Sequence, residues 1–138
     1  MEEEKRKDIE QKAVRLNLFE NKLKEMEEQL MLIEKQINEF QVSQFALDEL
    51  KEVKQGTDML APISPGIFVR AKILDNKEVL IDSGSKVFCK KNIDDAKDVL
   101  NEKINQIAEL HEKFTQEINK IIETINEIQE ELNKSLAE

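Results

Sequence analysis

The sequence predicts an α+β protein in which a long antiparallel coiled-coil hairpin carries two β-hairpins, four short strands in all, at its base. All glycines and prolines lie between positions 56 and 84. Both flanks repeat apolar residues in heptads, which is typical of coiled-coil helices. We therefore expect a single unit with an N-terminal helix at 1–55, a β region at 56–91 and a C-terminal helix at 92–138.

The first helix carries a seam of positions spaced alternately by three and four residues. Ten of these twelve positions are apolar, which predicts a coiled coil. We expect the helix to run to about Lys54, with Gly56 as its C-terminal stop. The seam positions are Ile9, Lys12, Leu16, Phe19, Leu23, Met26, Leu30, Ile33, Ile37, Phe40, Gln44 and Leu47.

The second helix is expected to begin after Asn92, a candidate N-cap, with Asp94 and Asp95 in its first turn. Ten of its thirteen seam positions are apolar. They are Ile93, Lys97, Leu100, Ile104, Ile107, His111, Phe114, Ile118, Ile121, Ile125, Ile128, Leu132 and Ser135. Because the two helices are of similar length and a short segment joins them, we expect antiparallel pairing with both chain termini at one end.

Several apolar residues of the first helix lie off the seam. We expect Val42, Phe45 and Ala46 to broaden the hydrophobic core near the strands. Val14 and Leu18 are expected to be exposed, and exposed apolar clusters commonly mark binding surfaces. Packing against the hairpin is the alternative for these two residues.

The middle of the chain contains four candidate strands at 59–63, 67–74, 79–81 and 87–89, with turn signals at 75–77 and 83–85. Two small hairpins are marginally stable alone, and their free edges invite pairing with another chain. We therefore expect subunits to join through the β region. The residues assigned to this contact are Leu60, Ile63, Phe68, Val69, Ile73, Val79, Ile81, Val87 and Phe88.

Composition and missing motifs exclude several classes of function. With a net charge of −9 and acidic helices, the chain is a poor ligand for a phosphate backbone, so no nucleic acid is expected as a partner. No apolar run approaches a membrane span, and the charged N-terminal segment does not resemble a signal peptide, so we expect a cytoplasmic protein. Since no phosphate loop, catalytic triad or metal-ligand spacing occurs, we expect no enzyme activity, cofactor or metal.

Two residues with reactive side chains are expected to have structural roles. His111 stands at a seam position, where a polar layer that sets helix register is a better explanation than a pH switch or a metal ligand. Cys89 is the only cysteine, so no internal disulfide can form, and we expect it to be a small, buried or half-buried strand residue.

The central motifs resemble those of the alpha class of prefoldin subunits. The similarity runs through MLAPISPGIFV at 59–69, DNKEVLIDSG at 75–84 and DDA at 94–96. The order of helix, two β-hairpins and helix extends it to the whole chain. The sequence departs from the family pattern at Ser85, Lys86, Cys89 and Lys90, where the family more often has other residues.

The resemblance implies a chaperone that binds unfolded proteins without ATP and passes them to a group II chaperonin. It implies a hexamer of two alpha and four beta-class subunits, although some alpha-class relatives form homomeric filaments. Client contact is implied at the distal coiled-coil tips. On this chain these are Ile9, Ala13, Val14, Leu16, Leu18, Ile128, Leu132 and Leu136. The alternative function is a structural spacer or filament former that holds no client.

Overall fold

The computed structural model describes residues 1–82 and 84–137, and it confirms the predicted fold class. Two long helices flank two separate two-stranded antiparallel sheets. The elements are α1 (Glu2–Glu52), β1 (Asp58–Ser64), β2 (Ile67–Lys72), β3 (Glu78–Asp82), β4 (Phe88–Asn92) and α2 (Ile93–Ala137). Contacts divide the chain into two compact units. The first contains Met1–Ile37 and Gln106–Glu138, and the second contains Asn38–Asn105.

The burial of α1 follows the predicted seam closely. Within this helix, only the twelve seam positions and Leu50 are buried or half-buried, and every other residue is exposed. All thirteen seam positions of α2 are also buried or half-buried. Five further α2 residues are at least partly covered, namely Ala96, Val99, Lys103, Thr115 and Thr124. The heptad pattern therefore correctly identified the faces through which the helices pack.

The first unit has its hydrophobic core where α1 and α2 pair. Met26 packs with three isoleucines of α2, Ile118, Ile121 and Ile125. Half-buried Leu16, Phe19, Leu23, Leu30 and Phe114 surround this cluster. Burying one such side chain contributes about 1.5–3 kcal/mol, so this cluster of α1 and α2 side chains accounts for a large share of the unit's stability.

Polar contacts between the helices of the second unit fix their antiparallel register. Three pairs link α1 to α2 within this unit: Gln44 with Asn101, Asp48 with Lys97, and Lys51 with Asp94. From one pair to the next, the α1 partner advances by as many residues as the α2 partner retreats. A shift of one helix along the other would break all three contacts together.

The first helix ends two residues earlier than the sequence suggested, at Glu52. Gly56 does not close the helix, because its N–H donates to the carbonyl of Ile73, 2.6 Å away, beyond the end of β2. Ile73 in turn donates its N–H to Thr57. These bonds tie the segment after α1 to the end of the first hairpin, where β2 ends at Lys72 and not at 74 as expected.

The first hairpin pairs β1 with β2 around a two-residue turn at Pro65 and Gly66. Pro65 suits the second position of a type II turn, and Gly66, with φ of +80°, suits the third. The register is irregular between Pro62 and Ser64, so that Ile63 has no partner opposite it. Such a bulge accommodates Pro62, which cannot donate a hydrogen bond to the ladder.

The second hairpin pairs β3 with β4 and leads directly into α2. Asn92 is both the last residue of β4 and the N-cap of α2, because its side-chain oxygen accepts the N–H of Asp95 at 2.8 Å. The predicted turn at 75–77 is present, with Asp75 accepting the N–H of Lys77. A second turn was expected at 83–85, and position 83 of that turn lies outside the described residues.

Ser85 and Lys86 occupy the centre of a tight turn in the loop between β3 and β4. The N–H of Val87 donates to the carbonyl of Gly84 at 3.0 Å, and the two residues between them have φ of +52° and +63°. Positive φ at both central positions is characteristic of a type I′ turn, which favours Asn and Gly. Ser85 and Lys86 therefore hold backbone conformations that side chains with a Cβ disfavour. Both are among the positions at which the sequence departs from the pattern it resembles.

We expect Ser85→Gly to raise the free energy of unfolding by about 0.5–1 kcal/mol, because glycine adopts positive φ without steric cost. Urea unfolding followed by circular dichroism measures this. Gly84→Ala is the opposing control: Gly84 has φ of +113° and open space where a methyl group would lie, so backbone strain alone should lower stability there. Equal stability of all three proteins would contradict the assignment of strain to this loop.

The ion pair between Lys51 and Asp94 supports a prediction about acid sensitivity. A hydrogen bond from Lys51 and its charge lower the pKa of Asp94 below its ordinary value. Because the folded-state pKa is the lower one, the stabilisation is present above the unfolded-state pKa and is lost as the pH falls through the folded-state value. We expect Lys51→Met to raise the pKa of Asp94 in an NMR titration of its carboxyl group. Lys35→Met, in the other unit, should leave it unchanged.

Candidate functional site

Exposed apolar residues lie on both helices in the region where the N-terminal part of α1 lies beside the C-terminal part of α2. This terminal surface consists of Ala13, Val14 and Leu18 on α1 and Leu136 on α2. Val14, Leu18 and Leu136 are 60%, 63% and 63% exposed. All four residues lie outside the seam, so the paired helices leave them in solvent. The expectation that Val14 and Leu18 are exposed is confirmed.

The other residues predicted for client contact lie in the seam. Ile9, Leu16 and Leu132 are half-buried, whereas Ile128 is only 3% exposed. While the helices are paired, these side chains face the opposite helix. A ligand can therefore reach all of the terminal surface directly, but it can reach Ile128 only when the ends of the helices separate.

The seam near these helix ends contains polar residues, which weakens its hydrophobic packing. Lys12 occupies a seam position, and its Nζ lies 3.4 Å from Oγ of Ser135 and 2.9 Å from Oδ2 of Asp8. A lysine or serine at a seam position specifies pairing but contributes less hydrophobic stabilisation than leucine or isoleucine. The helices are consequently held less strongly here than around Met26.

A second exposed apolar region covers the strands, and we call it the strand surface. Six of the nine residues predicted for subunit contact are exposed on it: Leu60, Ile63, Phe68, Val69, Val87 and Phe88. The remaining three, Ile73, Val79 and Ile81, are half-buried within the chain. The strand surface also includes four exposed residues that sequence reasoning did not assign: Met59, Ile67, Leu74 and Leu80.

The first hairpin is apolar on both faces. Leu60 and Phe68 lie on one face, and Met59 and Val69 lie on the other, as the register of β1 and β2 requires. All four are exposed. Since each strand of this two-stranded sheet is also an edge, the hairpin offers both apolar faces and unpaired backbone groups to another chain.

The second hairpin is covered on one face only. Val79 and Ile81 are half-buried, and with Ala46, Leu47 and other residues they line a groove of about 370 Å³ between β3 and the helices. Leu80 lies between them in β3 and therefore points to the opposite, exposed face. The alternation of side chains in β3 was the signal that could have identified Leu80 from the sequence.

Val42, Phe45 and Ala46 were expected to broaden the hydrophobic core. This expectation was wrong, because all three residues are exposed. Val42 and Phe45 are 59% and 64% exposed, and Ala46 is also exposed although it lines the groove beside β3. The second hairpin covers the side of α1 that includes Leu47, and Val42 and Phe45 lie outside this contact. Met31 and Leu32, which lie nearer the N-terminus of α1, are also exposed.

His111 and Cys89, the two residues expected to have structural roles, are both half-buried. Nε2 of His111 lies 3.1 Å from Oε1 of Glu34, across the helix pair, in the position expected for a polar seam layer. Cys89 is half-buried in β4 opposite Ile81, as expected for a packing residue. Among residues 1–82 and 84–137, no three His, Cys, Asp or Glu side chains are grouped to hold a metal ion. The arrangement is suited to binding apolar surfaces.

A search of the described helices for membrane spans found none that is sufficiently long and apolar.

Comparison with known families and sequences gives a consistent result. The model of the prefoldin subunit family matches residues 19–138. Prefoldin subunit alpha of Methanococcus aeolicus is 29% identical over 72% of this chain and 67% of its own length. The same subunit of Thermofilum pendens is 28% identical over 64% of this chain and 69% of its own length. Human prefoldin subunit 5 is 33% identical over 49% of this chain and 44% of its own length.

Comparison with solved structures supports the fold independently. A filamentous PFD from Methanocaldococcus jannaschii, solved by cryo-EM, superposes with a TM-score of 0.76. The match covers 84% of this chain and 96% of that chain at 16% sequence identity. At this identity the likeness concerns the fold alone, and it extends across helices and strands together.

Proposed function

Since the chain belongs to the prefoldin family of chaperones, we propose that it is a cytoplasmic, ATP-independent holdase subunit. In this proposal it binds unfolded proteins through the terminal surface and the adjoining seam residues, and it delivers them to a group II chaperonin. It performs no catalysis. The observation that carries the proposal is the exposure of Val14, Leu18 and Leu136 beside a seam that is otherwise packed.

Client capture by this surface follows from the physical character of unfolded proteins. An unfolded chain exposes apolar segments, and burying such segments against apolar side chains is favourable by about 25 cal/mol per Å². One terminal surface is small, so each contact is weak. Several subunits that hold the same client would bind it much more tightly through their combined contacts.

The seam residues of the helix ends would enlarge the binding surface during capture. Ile9, Leu16, Ile128 and Leu132 become accessible when the ends separate, and the polar contacts of Lys12 make this opening easier than it would be around Met26. The exposure of the terminal surface supports a chaperone over a rigid spacer. A spacer would be expected to pack such apolar side chains against its own helices, whereas here they are exposed.

The strand surface is the proposed site of assembly. We propose that it joins this chain either to beta-class prefoldin subunits, in a hexamer of two alpha and four beta subunits, or to further copies of itself in a filament. Large exposed side chains such as Leu60, Phe68 and Phe88 on free strand edges support this role. Measuring the mass of the complex, alone and with a beta-class partner, distinguishes the hexamer from the filament.

We expect the assembled protein to suppress aggregation of a chemically denatured client at stoichiometric amounts without nucleotide. Light scattering after dilution of the client from denaturant measures this. The triple variant Val14→Ser, Leu18→Ser, Leu136→Ser should require at least about threefold more protein for the same suppression, because it removes apolar area that contacts the client. Since all three side chains are exposed, the variant should fold and assemble normally.

The matched control for client capture is the double variant Met31→Ser, Leu32→Ser. These residues are as exposed as Val14 and lie on the same helix, but outside the terminal surface. The control should behave like the natural protein. Failure of the natural protein to suppress aggregation would contradict the proposed function, and equal losses in both variants would contradict the assignment to the terminal surface.

We expect Leu60→Asp with Phe68→Asp to disrupt assembly, because the two side chains share one face of the first hairpin. Each fully buried side chain contributes about 1.5–3 kcal/mol, so association should weaken at least about a hundredfold. Light scattering coupled to size-exclusion chromatography measures the mass. Val42→Asp, an equally exposed apolar residue outside the strands, is the control. An unchanged mass in the double variant would exclude this face of the hairpin as the assembly contact.

A further inference from the structure

The α1 part of the terminal surface carries charged side chains beside its apolar ones. A shallow groove of about 490 Å³ on this part of α1 is lined by Lys7, Glu10, Gln11, Val14 and Arg15. Val14 is its apolar member, and Leu18 follows one helical turn later. Both cations of the groove are exposed. A ligand on Val14 therefore also meets Lys7 and Arg15.

Two carboxylates that lie near the groove cations along the helix form ion pairs with other residues. Glu10 pairs with Arg6 at 3.5 Å, and Asp8 pairs with Lys12 at 2.9 Å. Within the described part of the chain, Lys7 and Arg15 have no carboxylate within ion-pair distance. Among the described residues, the groove therefore presents two cations without an ion-pair partner and one carboxylate, Glu10, that pairs with Arg6, in a protein whose net charge is −9.

The spacing of these charges fits a short peptide segment. Lys7 and Arg15 are eight residues apart on one helix, which corresponds to about 12 Å along its axis. An extended peptide covers this distance in about four residues. A segment with carboxylates at both ends and apolar residues between them would place the carboxylates near the two cations while its apolar residues contact Val14, the apolar residue of the groove.

We propose that this groove makes the chain selective among unfolded clients, favouring apolar segments that are flanked by aspartate or glutamate. The inference rests on the proposed client capture and specifies the class of client. Complementary charge is the argument for this occupant, since opposite charges across an interface determine which partner binds. A second copy of the chain is the competing occupant, because its α2 carries exposed Glu127, Glu130 and Glu131.

The test uses fluorescence anisotropy with three labelled peptides that share a central Leu-Phe-Leu segment. One peptide is flanked by aspartates, one by serines and one by lysines, and each is titrated with the full assembled protein. The aspartate peptide should bind about threefold to tenfold more tightly than the serine peptide in about 20 mM salt, as expected for two exposed ion pairs. This preference should diminish at about 300 mM salt, where exposed charges are screened.

Charge reversal at the groove provides the decisive comparison. Lys7→Glu with Arg15→Glu should abolish the preference for the aspartate peptide and shift it to the lysine peptide. Lys24→Glu with Lys35→Glu changes the net charge by the same amount at two exposed α1 positions outside the groove. This control should keep the original preference. If both variants lose it equally, general charge determines binding and the groove does not.

The outcomes separate this inference from the proposed function. If the aspartate and serine peptides bind equally well while client aggregation is suppressed, the chaperone function stands and the charge selectivity is wrong. If no peptide binds and aggregation is not suppressed, the proposed function itself fails. If Lys7→Glu with Arg15→Glu alters the mass of the assembly but leaves peptide affinity unchanged, the groove contacts another copy and the inference is overturned.

Discussion

The apolar seam shared by α1 and α2 is the constraint on which the rest of the structure depends. A pair of helices can bury about two positions in seven, or about 29% of its residues. The chain is 39% apolar, so it has more apolar residues than the seam can cover. The surplus must lie in solvent or against another molecule. It is concentrated on the strands and on α1, which explains why binding surfaces, rather than an enclosed pocket, are the candidate functional sites of this protein.

Polar contacts along the helix pair contribute specificity more than stability. Ion pairs such as Lys51 with Asp94 are exposed to solvent, so they stabilise the fold much less than the buried isoleucines of the first unit. These pairs instead fix the register of the two helices, because an apolar seam alone allows one helix to slide along the other. The same principle applies at Lys12, where a polar seam residue sets pairing and also leaves the helix ends more weakly held.

Most of the fold could be predicted from the sequence because its main determinants are periodic and local. The heptads identified every buried or half-buried position of α1 up to Leu47, and the N-cap at Asn92 marked the start of α2. Val14 and Leu18 lie outside the seam and near the expected free end of the helix pair, and these two features together predicted their exposure. These features depend on residues that are close in sequence, so helical and strand geometry alone is sufficient to place them.

Only the tertiary structure decided features that depend on contacts between distant segments. Gly56 donates its N–H to Ile73 instead of ending the helix, and Phe45 is exposed because the second hairpin packs on another side of α1. Side-chain positions were also needed to show that Lys7 and Arg15 have no carboxylate partner among the described residues. Periodicity shows which face of an element is apolar, but the choice of neighbour for that face depends on how the whole chain packs.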